Sequence, residues 1–228
     1  RDIGVTGVQT CALPIYLAFL FLEDWGMEAG IRGHGAVPLE PAVIPGGVPA
    51  QVIPSGPNFE NNVVLNMIQA AIQLARREIV LSTPYFIPDS STIAALEVAA
   101  RRGLRVTLVV PKANDSVLAA LASRANYGRL LEAGVELWEF QKGFLHSKTV
   151  SVDDELAIVT TANLDRRSYE INFETSVVVY DDAFARQLRH LQQSYIAGSV
   201  RLDAASWARR GARQRFAENL GNLVSPLL

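Results

Sequence analysis

The chain has 228 residues, 49% hydrophobic and 19% charged, enough for one large folded domain or two small ones. A net charge of −2 and a pI near 6.0 supply no global basic field, which argues against nucleic acid as a partner. The single cysteine, Cys11, excludes a disulfide framework and a multi-cysteine zinc site, and His34, His146 and His190 lie too far apart to show metal-ligand spacing.

From the N-terminus, "RDIGVTGVQTCALPI" (Arg1 to Ile15) is unlike the rest, and its "VTGVQTCALPI" (Val5 to Ile15) resembles a translated sequencing adapter, so residues 1–15 are expected to be an artefact joined to a C-terminal fragment. "YLAFLFL" (Tyr16 to Leu22) is apolar but far short of the ~20 residues of a membrane-spanning helix. It is expected to be the end of a buried helix running on into "EDWGMEAG". The Gly- and Pro-rich stretch from Gly30 to Pro57 reads as an extended connector holding one short strand, "AQVIPS". Residues 16–50 are therefore taken as the remnant of a preceding unit and its linker, and residues 51–228 as the domain.

Within that domain, helices and strands alternate. Val63, Ile68, Ala71, Ile72 and Ala75 repeat at helical spacing between Phe59 and Arg77, and "EIVLST" follows as a buried-type strand. A helix is expected from Asp89 to Arg102, stopped by Gly103, then a strand "LRVTLVV". A helix from Ser116 to Ala133, stopped by Gly134, precedes a strand "VELWEF". A hairpin, a strand "ETSVVVYD" and a helix from Asp182 to about Ala197 complete the pattern. The expected class is α/β, a mixed and largely parallel sheet flanked by helices.

The chemistry concentrates in the hairpin. "FLHSKTVSV" alternates and is rich in β-branched residues, so His146 and Lys148 share one strand face. "LAIVTT" is the returning strand. A two-residue turn at Asp154-Glu155 would pair Asp153 with Leu156, Lys148 with Thr161 and His146 with Asn163. A slip of one residue would reverse the faces. Lysine, asparagine and a threonine hydroxyl are donors suited to phosphate oxygens, and histidine attacks phosphorus or moves a proton near neutral pH. A carboxylate behind the imidazole holds its tautomer. Such a set serves a phosphodiester and needs neither metal nor cofactor. Each residue has a plainer reading: a structural histidine, a solvated lysine, a turn aspartate at Asp153, a turn former at Asn163, a surface acid at Glu174. The joint spacing favours the catalytic set His146, Lys148, Asp153, Asn163 and Glu174.

These residues resemble the signature of the phospholipase D superfamily, H-x-K-x(4)-D, then G-[ST]-x-N, then a later glutamate. Thr161 and Asn163 match the hydroxyl and the amide, while Thr160 stands where the superfamily has glycine. "STPYFIPD", "PKANDS", "ASRANYGRLLEAGVELWEF", "NLDRRSYEINFE" and the terminal "SPLL" are similar, in order, to the second half of bacterial cardiolipin synthases. The resemblance implies a phospholipase D-like lobe and a bilobed parent with one H-x-K per lobe. It implies phosphatidyl transfer through a phosphohistidine, from one phosphatidylglycerol to another, with glycerol leaving. His146 would act as acid and base, Lys148 and Asn163 would neutralise phosphate oxygens, and Glu174 would orient His146. Thr161 would bind substrate; Ser82, Thr83 and Tyr85, which follow a strand at its C-terminal end where ligands gather in α/β sheets, are expected to line the entrance.

The implied partners are phosphatidylglycerol, anionic membrane lipids and the missing N-terminal lobe; the implied location is the bacterial inner membrane. His34 precedes Gly-Ala-Val and His190 precedes Leu-Gln-Gln, so neither repeats the motif, and the chain alone is expected to be inactive. Three alternatives stay open: a single-motif nuclease acting as a homodimer, a phosphatidylserine synthase or phospholipase D, and a non-catalytic scaffold lobe. The arginine-rich tail from Arg201, interleaved with Trp207 and Phe216, reads either as a lipid-headgroup contact or, preferably, as a terminal helix packed on the domain.

Overall fold

Short apolar strands joined by amphipathic helices can bury both only by layering them. The computed structural model describes residues 12–30, 47–59 and 62–223. Cys11, His34, "SPLL" and most of the connector therefore lie outside the described residues. The elements in chain order are α1 (Ala12–Ala29), β1 (Ala50–Ser55), α2 (Val63–Leu74), β2 (Glu78–Ser82), β3 (Phe86–Ile87), α3 (Ser90–Arg101), β4 (Arg105–Pro111), α4 (Val117–Ala125), α5 (Tyr127–Ala133) and β5 (Glu136–Phe140). They continue with β6 (Thr149–Val152), β7 (Leu156–Thr160), β8 (Leu164–Asp165), α6 (Arg166–Glu170), β9 (Glu174–Val179), α7 (Asp182–Ala197), β10 (Ser199–Arg201), α8 (Ala204–Ala208) and α9 (Ala212–Leu223).

Eight strands form one sheet in the order β1-β9-β7-β6-β2-β4-β5-β10, and β3 pairs with β8 apart from it. The mixed α/β class is as expected, but the sheet is not largely parallel. Only β2–β4 and β4–β5 run parallel; the other five neighbouring pairs in the large sheet are antiparallel. The reason lies in the connections. Parallel neighbours need a crossover, supplied here by α3 and by α4 with α5, whereas β6 and β7 are joined by a turn too short to cross. Pro54, which cannot donate to a ladder, sits in the edge strand β1.

The main core lies between the sheet and α2, α3 and α5, with Ile68, Ile72, Ile79, Leu81, Leu96, Leu108, Leu137 and Ile158 fully buried. The opposite face is closed by α7 and is partly polar. Gln192 donates to Val80 O and Thr149 Oγ1 (3.2 and 3.1 Å) and accepts from Ser151 (2.6 Å). The Asp89 carboxylate caps α3 as the sequence predicts, and Gly134 ends α5 at φ +98°, where a side chain would be strained.

Three local expectations change. The helix expected over 116–133 divides at Asn126, because α4 packs on α9 while α5 packs on α3 and α8. The apolar run at Tyr16 is helical and continues through Ala29, yet Phe21 and Trp25 are exposed and Leu20 is the buried member, so it is not a buried helix. The strand expected from Phe144 narrows to Thr149–Val152, with His146 and Lys148 on the extended approach to it.

Candidate active site

The hairpin register sets the site. Asp153 and Asp154 both take positive φ (53° and 60°), and Glu155 N–H closes the turn on Val152 O at 2.9 Å. The turn centre is therefore one residue earlier than Asp154-Glu155. Val152 pairs with Leu156 and Thr149 with Val159, and Thr160 N–H donates to Lys148 O (3.1 Å). Lys148 thus faces Thr160 rather than Thr161. The shift does not separate His146 from Lys148, because they sit two apart on one extended segment.

His146 is exposed and Lys148 half-buried, and Lys148 Nζ lies 3.0 Å from His146 Nε2 and 3.4 Å from Nδ1. Burial lowers the Lys148 ammonium below its ordinary pKa, against the opposing pull of Glu174 and Asp165. Thr161 and Asn163 arrive from just beyond β7, and Glu174 from the start of β9, the strand that pairs with β7. The Glu174 carboxylate accepts from the Thr161 hydroxyl and from Asn172 Nδ2 (3.3 Å). Its donors among the described residues are these two, not the His146 ring. Asn163 is held through its backbone N–H to Ser168 Oγ (3.0 Å), while its Oδ1 is buried without a partner. Such an acceptor stands ready for a ligand or water.

Thr160, at the superfamily's glycine position, turns its hydroxyl inward to Ser176 Oγ (2.7 Å) and accepts from Ala162 N–H (3.0 Å). Tyr85 borders the approach to His146. Its ring lies 6.1 Å from Phe144, which lies 5.5 Å from the His146 ring. Its hydroxyl donates to Asp115 Oδ1 (2.6 Å). Burial, then the Asp115 hydrogen bond and the charges of Asp115 and Asp165, push that hydroxyl to about 12, so it stays protonated.

Three expected residues sit elsewhere. Asp153 is buried at the far end of β6, and its carboxylate accepts from the N–H groups of Arg76, Arg77 and Glu78 at 2.7, 2.8 and 2.8 Å. Burial alone would raise it, but these donors and the Arg77 charge hold it below its ordinary value. About five strand residues at ~3.3 Å each part it from Lys148, so it anchors the hairpin and does not touch the site. Ser82 is buried against Ser147 Oγ (3.0 Å) and Thr149 Oγ1 (2.6 Å) on the α7 face. Thr83, also buried, donates to Tyr85 O (2.8 Å) and accepts from Leu164 N–H (3.3 Å). Both hydroxyls are spent internally, which does not match a lining role; Thr83 instead ties the Tyr85 segment to the Asn163 segment.

Sequence reasoning passed over Asp165, Asn172 and Phe144. Asp165 is buried and caps α6 through Ser168 N–H (2.8 Å). Burial raises its pKa, with the Glu174 charge adding to that and the Ser168 and Asn163 donors opposing it. The capping pattern Asp165-x-x-Ser168 and the same-face spacing of Phe144 with His146 were both visible signals. No grouping of three or more His, Cys, Asp or Glu suited to a metal ion occurs among the described residues.

Residues 68–196 match a family model described as cardiolipin synthase, PLD-like domain. Cardiolipin synthase A of Edwardsiella ictaluri is 41% identical over 97% of this chain and 46% of its own length. The Proteus mirabilis protein of the same name is 41% identical over 93% of this chain and 44% of its own. The chain thus spans less than half the length of these relatives. Among solved structures, Haemophilus influenzae phosphatidylserine synthase superposes with a TM-score of 0.63 at 18% identity, over 82% of this chain and 47% of its own. The phospholipase D family member Nuc of Salmonella typhimurium gives 0.58 at 20% identity, over 68% and 97%. At these identities the two structures speak for the fold alone.

Proposed function

The chain belongs to the phospholipase D-like domain family of the cardiolipin synthases, and from that membership we propose that it supplies one of two half-sites for phosphatidyl transfer between two phosphatidylglycerol molecules. The observation that carries this reading is the placement of Lys148 Nζ against the exposed His146 ring, with Thr161, Asn163 and Glu174 brought alongside from the neighbouring strands.

A second histidine, from the other half of the protein, attacks phosphorus. A P–N bond forms, the bond to the glycerol oxygen breaks, and His146 gives that oxygen its proton. The hydroxyl of a second phosphatidylglycerol then returns a proton to His146 and attacks the phosphohistidine. The P–N bond breaks and cardiolipin leaves. Lys148 and the Asn163 amide meet the charge that gathers on the phosphoryl oxygens, where prepositioned donors matter most. Glu174 holds Thr161 at the rim, and Tyr85 with Phe144 forms an apolar wall beside the imidazole. The parent enzyme acts at the bacterial inner membrane, where its substrates reside.

In the full-length protein, His146→Ala is expected to lower cardiolipin formation by about 10²–10⁴-fold, the usual contribution of a general acid-base group. A phosphohistidine trapped from labelled phosphatidylglycerol should still form on the other histidine, slowly. Turnover within a few-fold of wild type in the His146→Ala protein would overturn the assignment.

A further inference from the structure

Helix α9 carries features that the transfer site does not use. Its inner face is locked onto α4. Glu218, 1% exposed, accepts from Arg124 Nε (3.3 Å), Arg210 Nη2 (3.0 Å) and Gln214 Nε2 (3.1 Å). Two contacts give the direction: Glu218 meets Arg124, and Gly221 lies against Leu121. The helices are therefore antiparallel. The C-terminal end of α9 lies at the N-terminal end of α4, just past Asp115, the acceptor for Tyr85 beside His146.

The outer face is of another kind. Phe216, Leu220 and Leu223 fall on one helical stripe and are 70%, 54% and 76% exposed. Val117 and Leu118, also exposed, extend the apolar surface from the start of α4. From Ala204 to Leu223 the exposed charged side chains are Arg209, Arg213 and Arg215. The single acid in that span, Glu218, is turned inward and paired. An apolar stripe bordered by guanidinium groups, with no exposed carboxylate between Ala204 and Leu223, complements an anionic lipid surface. The rings and leucines can enter the headgroup boundary while the arginines meet phosphates.

We propose that α9 is an interfacial docking helix, laying Phe216, Leu220 and Leu223 into an anionic bilayer and bringing the His146 end of the domain to the headgroups. This surface is separate from the reaction, and its binding is read without turnover. The test is sedimentation of the 228-residue chain with vesicles of equimolar phosphatidylglycerol and phosphatidylcholine, and with pure phosphatidylcholine vesicles. Binding should favour the anionic vesicles and weaken with salt. Phe216→Glu with Leu220→Glu should lower it at least tenfold, and Arg213→Gln with Arg215→Gln should remove most of its salt dependence. All four side chains are exposed, so thermal unfolding followed by circular dichroism should be unchanged. Failure of the wild-type chain to bind anionic vesicles would overturn the proposal and point to protein as the cover for this face. Equal binding by wild type and the glutamate variant would overturn it as well.

Discussion

Asp153 shows how one carboxylate can anchor the hairpin of a site it never touches. It accepts three consecutive backbone N–H groups at the junction of α2 and β2, and so fixes the hairpin that carries His146 and Lys148. Its pKa is lowered in the folded state, so its stabilisation is complete above the ordinary aspartate range, near pH 4, and fades as pH falls through the folded value. Asp153→Asn keeps the shape and tolerates the positive φ but removes the charge. It is expected to cost about 2 kcal/mol at pH 7, the scale of hydrogen bonds to a charged group. The deficit should shrink in acid, because the wild type loses the same term there. Urea unfolding of both proteins at pH 7 and pH 3 measures this. A deficit that does not change with pH would assign the loss to geometry instead. At His146 and Lys148 the residue spacing was legible at once, whereas the Glu174 partners, Thr161 and Asn172, were not. Thr161 is contributed by a different strand, and only the β7–β9 register brings it to the carboxylate.

At the scale of elements, the hairpin and α9 make opposite points. The strands of the hairpin were readable from alternation, but its register was not, since Asp153-Asp154 and Asp154-Glu155 are equally plausible turns on paper. The first prevails because Asp153 is pinned by the α2–β2 junction, a contact with residues about 76 positions away. In α9 the Arg- and Phe-containing tail could be read as packed or as lipid-facing, and the structure gives it one packed face and one exposed apolar face. Trp207 completes the packed side, lying 3.8 and 4.7 Å from the guanidinium carbons of Arg210 and Arg124. Close approach depends on Gly221, where a Cβ would lie 2.7 Å from Leu121 Cβ and 3.0 Å from Ala122 N. Backbone cannot yield as a flexible side chain does. Gly221→Ala is expected to destabilise the α9 contact by about 1–3 kcal/mol, the range for overpacking. Amide exchange in α9 should quicken while the β2 and β4 amides keep their protection; unchanged α9 protection would show that the helix has room to shift.

For the whole molecule, the decisive fact is that the sheet leaves His146 exposed at one rim, with a single H-x-K in the chain. A reaction that needs two imidazoles on opposite sides of phosphorus requires another surface facing this one. On the proposed half-site reading, the purified chain is expected to form no cardiolipin from phosphatidylglycerol, and to form it when a second H-x-K lobe is supplied in trans. Product from the chain alone would refute the half-site reading, and a homodimer in solution that cleaves DNA would favour the nuclease alternative.

The sequence by itself determined the class of the fold, most of its elements and the pairing of His146 with Lys148. Periodicity, caps and i, i+2 spacing are local, and local sterics dictate them. Tertiary structure decided the antiparallel character of the sheet, the one-residue register of the hairpin, the removal of Asp153, Ser82 and Thr83 from the open site, and the inward turn of Glu218. Each of these depends on which distant backbone groups and charges must be satisfied once water is excluded, and that accounting closes only when the chain is folded.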